Sequence, residues 1–218
     1  MKIAILCASG KVGKEISKEA LKRNLEPVCF VRNSSKMNEF LPQAKIVQRD
    51  LFELDSKDLI DFDIIIDAFG EWENLSLHKK HIECLSVILQ GSKAKLFVVG
   101  GAGSLYMDEN HTTRLMDMPD FPKEYLDIAK ASAEVLEFLR NEKGFKWVYV
   151  SPSAIFSPDL PKSNHYKIIG EKFEVNANNE SKISYSDYAS AMIDIVLNSC
   201  YENTRVGGKI KCNHRKIK

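Results

Sequence analysis

Three stretches constrain this chain more than any others: DIIIDA at 63–68, KLFVV at 95–99 and KWVYV at 146–150. Each is apolar on successive residues, which marks a strand covered on both faces rather than one with a wet side. The segments between them carry a different rhythm. Residues 75–90 and 123–142 repeat apolar positions at helical spacing, and Gly91 and Gly144 follow them as natural stops. Strands buried on both faces and separated by helices imply a parallel sheet sandwiched between helical layers.

The N-terminal third continues the pattern. Lys2–Leu6, Pro27–Val31 and Lys45–Gln48 read as three further strands, and Lys11–Asn24 as the first helix, with Val12, Ile16, Ala20 and Leu21 on one face. The expected fold is therefore α/β, a Rossmann-type doubly wound parallel sheet. After Val150 the alternation breaks at Pro152, Pro158 and Pro161. A helix from an N-cap at Ser186 to about Asn198 follows, then a strand over Arg205–Cys212. No linker is evident, so 1–218 is expected to be one domain, with 151–218 partly a small C-terminal lobe on the side where such folds bind ligands.

Composition excludes little but narrows the partners. A formal net charge of +1 over 218 residues gives no global field for nucleic acid or an anionic membrane. The leading helix carries Lys11, Lys14, Lys18, Lys22 and Arg23, but Glu15, Glu19 and Glu26 interleave, as on a solvated face. Residues 3–8 are too short for a signal-peptide core, and no run has the length of a membrane span. The five cysteines (Cys7, Cys29, Cys84, Cys200, Cys212) show no metal or redox spacing, so free thiols in the cytoplasm are expected.

The chemistry is announced by the first strand-to-helix turn, CASGKVG at 7–13. Dinucleotide loops place glycines here so that backbone N–H groups at a helix start can approach a pyrophosphate. Gly10 and Gly13 fit that need and Ser9 adds a hydroxyl, while Cys7 stands where a first glycine is usual. About twenty residues on, an acid would bind ribose hydroxyls and an Arg would suit a 2′-phosphate. The chain has Arg32, followed by Asn33, Ser34, Ser35 and Lys36. NADP(H) is thus favoured, although the same loop admits NAD(H).

The stretches ASGKVG (8–13), FVRNSSK (30–36), RDLFE (49–53), DIIIDAFG (63–70), VVGGAGSLYMDE (98–109), MPDFPKEY (118–125), YVSPSAIFSP (149–158) and ISYSDYASAMID (183–194) occur in an order that spans nearly the whole chain. In them the sequence resembles the atypical short-chain dehydrogenase/reductases, in the NmrA-like branch often described as putative NADH-flavin reductases. The resemblance implies a pyrophosphate loop of Ser9, Gly10, Lys11, Val12 and Gly13, and a 2′-phosphate reader at Arg32. It further implies adenine contacts from Asp50 and Leu51, a nicotinamide-ribose segment at Ala68, Phe69 and Gly70, and a nicotinamide pocket lined by Pro152, Ser153 and Ile155. Ser104 falls near the family's Ser position, and Lys130 matches its ribose-binding Lys.

One feature departs from the wider superfamily. Its Ser-Tyr-Lys machinery sets Tyr four residues before Lys, where this chain has Leu126; Tyr125 is one position off, turned by about 100° on a helix. Ser104, Tyr125 and Lys130 remain the catalytic candidates, and the spacing favours chemistry that asks little of a protein acid. Hydride transfer from NADPH to a flavin (FMN or FAD, taken as substrate) or a quinone is such chemistry. A regulator that senses NADP(H) without turnover is the alternative reading. A nucleotide-sugar epimerase would be expected to carry a larger C-terminal lobe. A monomer or homodimer with a small-molecule partner and no metal is expected. Trp72, Tyr106 and Met107 are candidates for an apolar wall, His78 and His81 for a solvated helix face, His111 for a surface residue, and Asp187 for a helix cap.

Overall fold

The computed structural model describes residues 1–198 and 200–210. Six strands alternate with helices through the first two thirds: β1 (Ile3–Leu6), β2 (Val28–Val31), β3 (Lys45–Gln48), β4 (Ile64–Asp67), β5 (Lys95–Val99) and β6 (Lys146–Ser151). Three short strands, β7 (Ile155–Ser157), β8 (Tyr166–Ile169) and β9 (Lys182–Ser184), and the longer β10 (Thr204–Ile210) complete the set. The main sheet has the order β3-β2-β1-β4-β5-β6-β10-β8, parallel except for the last pair. β7 and β9 form a separate parallel ribbon. Chain direction across the sheet reverses between β1 and β4, which opens a crevice beyond their C-terminal ends.

Among the described residues six helices cover the sheet: α1 (Lys11–Lys22), α2 (Ser35–Phe40), α3 (Ser56–Leu59), α4 (Ser76–Leu89), α5 (Leu126–Asn141) and α6 (Tyr185–Leu197). The continuous apolar strands are explained by the two cores. Ile3, Ile5, Ile64 and Ile66 point to one face, into the cluster holding Ile16 of α1 and Met192 and Ile193 of α6. Ala4, Leu6 and Ile65 point to the other, with Leu85 of α4 and Leu136 of α5. Each such Leu or Ile contributes about 1.5–3 kcal/mol by leaving water.

Several expectations shift. The helix expected over 123–142 begins with a 3-10 turn at Lys123–Tyr125, after Pro122, and becomes α-helical only at Leu126. The N-cap of α6 is Ser184, not Ser186. The Ser184 hydroxyl accepts the Asp187 N–H at 3.0 Å and donates to the Asp187 carboxylate at 2.9 Å. That carboxylate also receives Ser163 and Asn164, so it fastens the 163–164 turn to the helix start. Ser186 instead donates to Glu15 of α1 at 2.8 Å. The final strand is observed to Ile210; Cys212 lies outside the described residues. The chain after residue 151 adds β8, β10 and α6 to the main body.

The charged face of α1 is only partly solvated. Glu19 is buried and accepts Arg23 Nε and Lys162 Nζ, each at 2.9 Å. Arg23 reaches on to Asp194 of α6, whose other oxygen takes the Tyr166 hydroxyl at 2.5 Å. Burial pushes the Glu19 carboxyl up, but hydrogen bonds from Lys162 and Arg23 outweigh it and hold the group below its ordinary value. A depressed folded pKa means stability that is present above the unfolded carboxyl value, about 4.3, and lost as pH falls through the folded one. Thermal melts are therefore expected to fall more steeply below about pH 4.5 in the wild type than in Glu19→Gln. Parallel curves would contradict this.

Candidate active site

The β1–α1 turn is built for close approach. Cys7 has φ +54°, the left-handed region where glycine is at ease and a side chain is strained. Ala8 donates its N–H to Phe30 O at 3.1 Å, and Gly10 donates back to Cys7 O at 3.0 Å. A Cβ on Gly13 would stand 2.6 Å from Cys7 O and 2.9 Å from Ala8 Cα, so α1 lies directly on the turn. Among the described residues no side chain caps α1, and its first turn holds no acid, which leaves the N–H groups of Lys11, Val12 and Gly13 as an anion-seeking helix start. Burial pushes the Cys7 thiol up, as do Asp67 and Asp50, with Arg32 opposing, so the thiol stays neutral. Gly13→Val is expected to lower dinucleotide affinity by about 100-fold or more and to cost about 1–3 kcal/mol through overpacking. A titration and a denaturant melt on one preparation would show both, and wild-type affinity would contradict the close-approach account.

Beyond this turn lies a cleft of about 280 Å³ at the sheet's reversal point. Its near wall is Cys7, Ser9 and Gly10, and the β2 end supplies Arg32. Asp50 and Leu51 follow β3, and Ala68, Phe69 and Gly70 follow β4. These expected residues come together from four separate strand ends. Other residues that the sequence did not single out join them, among them Arg49, Phe52 and Glu71. Arg49 is engaged by Asp58 at 3.3 Å, whereas Arg32 makes no ion pair among the described residues. The Asp50 carboxylate accepts Phe52 N–H at 2.9 Å and shapes the turn after β3.

The floor of the cleft near Phe69 rests on a buried pair. Asp67, wholly buried at the end of β4, accepts Phe69 N–H at 3.0 Å with one oxygen and faces His81 Nε2 at 3.0 Å with the other. The Phe69 ring stacks on the imidazole at 4.2 Å and meets Phe52 edge-on. His78, also buried, contacts Glu71 O at 2.8 Å, and burial lowers its pKa. The expectation of a solvated histidine face is thus overturned. A readable signal existed, since His78, Ile82, Leu85 and Leu89 share the apolar stripe of α4 and His81 lies beside it.

The remaining candidates lie away from this lining. Ser104 is buried and its Oγ accepts Arg205 Nη1 at 3.0 Å. Lys130 is exposed, 3.9 Å from Asp127. Tyr125 is half exposed and meets Trp72 edge-on. Pro152 and Ser153 are buried, the latter donating to Gly208 O at 3.0 Å, while Ile155 opens β7 in an exposed position. Tyr106 stacks on exposed His111 at 4.5 Å, with Arg140 and Arg205 also beside its ring, so it is not free to wall a ligand site. The glycines of VVGGAGSL have a steric role, because a Cβ on Gly100 would lie 2.2 Å from the Tyr149 ring.

Comparison with known proteins agrees with this geometry. Residues 7–199 match the NAD(P)H-binding family, and the chain belongs to that family. It is 43% identical over 207 residues to the uncharacterized protein YwnB of Bacillus subtilis (strain 168), covering 94% of this chain and 96% of that one. A solved structure from Streptococcus pneumoniae TIGR4, named a putative NADH-flavin reductase, superposes with a TM-score of 0.91 at 42% identity, covering 97% of this chain and 100% of that one. A putative epimerase from Bacteroides thetaiotaomicron superposes with a TM-score of 0.81 at 32% identity, with 98% of each chain covered. Among the described residues no helix is long and apolar enough to cross a membrane.

Proposed function

We propose that the protein is an NADPH-dependent reductase that delivers hydride to a flavin or quinone. The observation that carries the reading is the convergence on one cleft of an uncapped, glycine-lined helix start and an Arg32 that makes no ion pair among the described residues. An uncapped helix start suits a pyrophosphate, and a planar guanidinium suits a 2′-phosphate. Asp50 and Leu51 lie where adenine would be held, and Ala68, Phe69 and Gly70 continue the wall toward the reacting end.

NADPH, when bound, supplies a hydride with both electrons; the acceptor gains it and a proton from water, leaving NADP⁺ and the dihydro acceptor. That division asks no proton donor of the protein. Support comes from Ser104, whose hydroxyl is held by Arg205, and from Leu126 standing four residues before Lys130. The protein's part is then to bind, orient and exclude water. Titration with NADPH and NADH, followed by intrinsic fluorescence, tests the cofactor half: NADPH should bind at least about tenfold tighter, as expected of one added charge-assisted contact. Equal affinities would remove Arg32 from its role.

A further inference from the structure

Among the described residues, Trp72 and Tyr125 are the only Trp and Tyr among the exposed large apolar side chains, at 68% and 50% exposure. They meet each other, ring centroids 6.4 Å apart at 77°, an edge-on geometry that leaves ring faces open to a third planar group. An exposed Trp on a soluble surface calls for an explanation that a scattered exposed Leu does not.

Neither residue sits on a loose loop. Glu71 Oε1 accepts the N–H groups of Trp72 at 2.9 Å, Glu73 at 2.8 Å and Asn74 at 3.3 Å, and His78 grips the Glu71 carbonyl. Tyr125 ends the 3-10 turn that leads into α5, its N–H donated to Pro122 O at 3.1 Å. The pair is therefore displayed on two braced turns, one after β4 and one after β5.

Sheet order decides what such a pair would face. Arg32 and Asp50, the adenosine-side residues, stand at the ends of β2 and β3, on one side of β1. A dinucleotide crossing the helix start after β1 must carry its nicotinamide to the other side, toward β4, β5 and β6. The turns bearing Trp72 and Tyr125 rise from two of those strands.

We propose that Trp72 and Tyr125 form the acceptor platform, on which a planar redox-active ring, an isoalloxazine or a quinone, stacks beside the nicotinamide. This rests on the reductase reading given above. The aromatic pair holds the ring and takes no electrons; hydride passes from NADPH to the acceptor, and water supplies the one proton that completes the dihydro product.

The test titrates FMN, and separately a soluble naphthoquinone, into the full chain loaded with NADP⁺, so that no turnover occurs. Flavin emission reports the first and competition with FMN the second. In W72A/Y125A the acceptor Kd, and in turnover its KM, should rise about tenfold or more, from the loss of ring stacking. W72F/Y125F should stay within about threefold, and NADP⁺ affinity within about twofold. Both variants alter exposed positions, so folding is not at stake. A shift with only one acceptor identifies that acceptor as the occupant. If W72A/Y125A binds and reduces both acceptors like the wild type, the platform is wrong while the reductase stands. If the wild type binds NADP⁺ but neither acceptor, platform and reductase both fail.

Discussion

Arg32→Ala is expected to raise the Kd for NADPH by about ten- to 150-fold, the equivalent of losing about 1.5–3 kcal/mol of charge-assisted hydrogen bonding. The Kd for NADH should change by less than about threefold, because only the 2′-phosphate calls on the guanidinium. Electrostatics sharpens the contrast. Arg32 helps hold the Glu71 carboxylate low, after the stronger pull of the Glu73 and Asn74 N–H groups. Without Arg32, that end of the cleft keeps Asp50 and Glu71 and turns against an added phosphate. Arg49 cannot readily substitute, since Asp58 already holds it. Isothermal titration with both dinucleotides reads the effect, and equal losses for NADPH and NADH would contradict it.

His81→Ala should be the most damaging single change near the cleft. It leaves the Asp67 carboxylate wholly buried without its charged or hydrogen-bonding partner. Removing one member of a buried pair costs about 3–5 kcal/mol, and for a chain of this length that is about 6–20 °C in Tm. The Phe69 ring also loses the imidazole on which it stacks. The double change Asp67→Ala with His81→Ala should cost less than the sum of the two single changes, because neither group is then left unpaired. Denaturant melts of the four proteins complete the cycle; additive losses would show that the two side chains do not act as a pair.

The sheet was legible because its strands are continuous in apolar residues. DIIIDA sends alternate isoleucines to opposite cores, a pattern that only a doubly covered strand requires. Short elements escaped for the opposite reason. α3 spans four residues and is set by the Asp55 capping box rather than by periodicity, and β7 and β9 have three residues each, too few to alternate. That Ser9, Gly10 and Arg32 line one cleft fits their sequence reading, because glycines and an Arg at strand ends have narrow physical uses; Asp50, Leu51 and Ala68 to Gly70 were expected there only through the family resemblance. The pairing of Asp67 with His81 was not legible, since a buried hydrogen-bonded pair fourteen residues apart leaves no local spacing. Sequence spacing does not tell which of Tyr106 and Tyr125 is packed. Only the fold shows that one is packed beside Arg205 and His111 and the other is open beside Trp72.

The most direct measurement is the loss of nicotinamide absorbance when FMN is added to purified protein and NADPH. Oxidation well above the protein-free rate, saturating in both NADPH and FMN and diminished in Arg32→Ala at low NADPH, is the predicted result. NADPH that binds tightly yet is oxidised no faster than in buffer, with FMN and with a naphthoquinone alike, would contradict the reductase account.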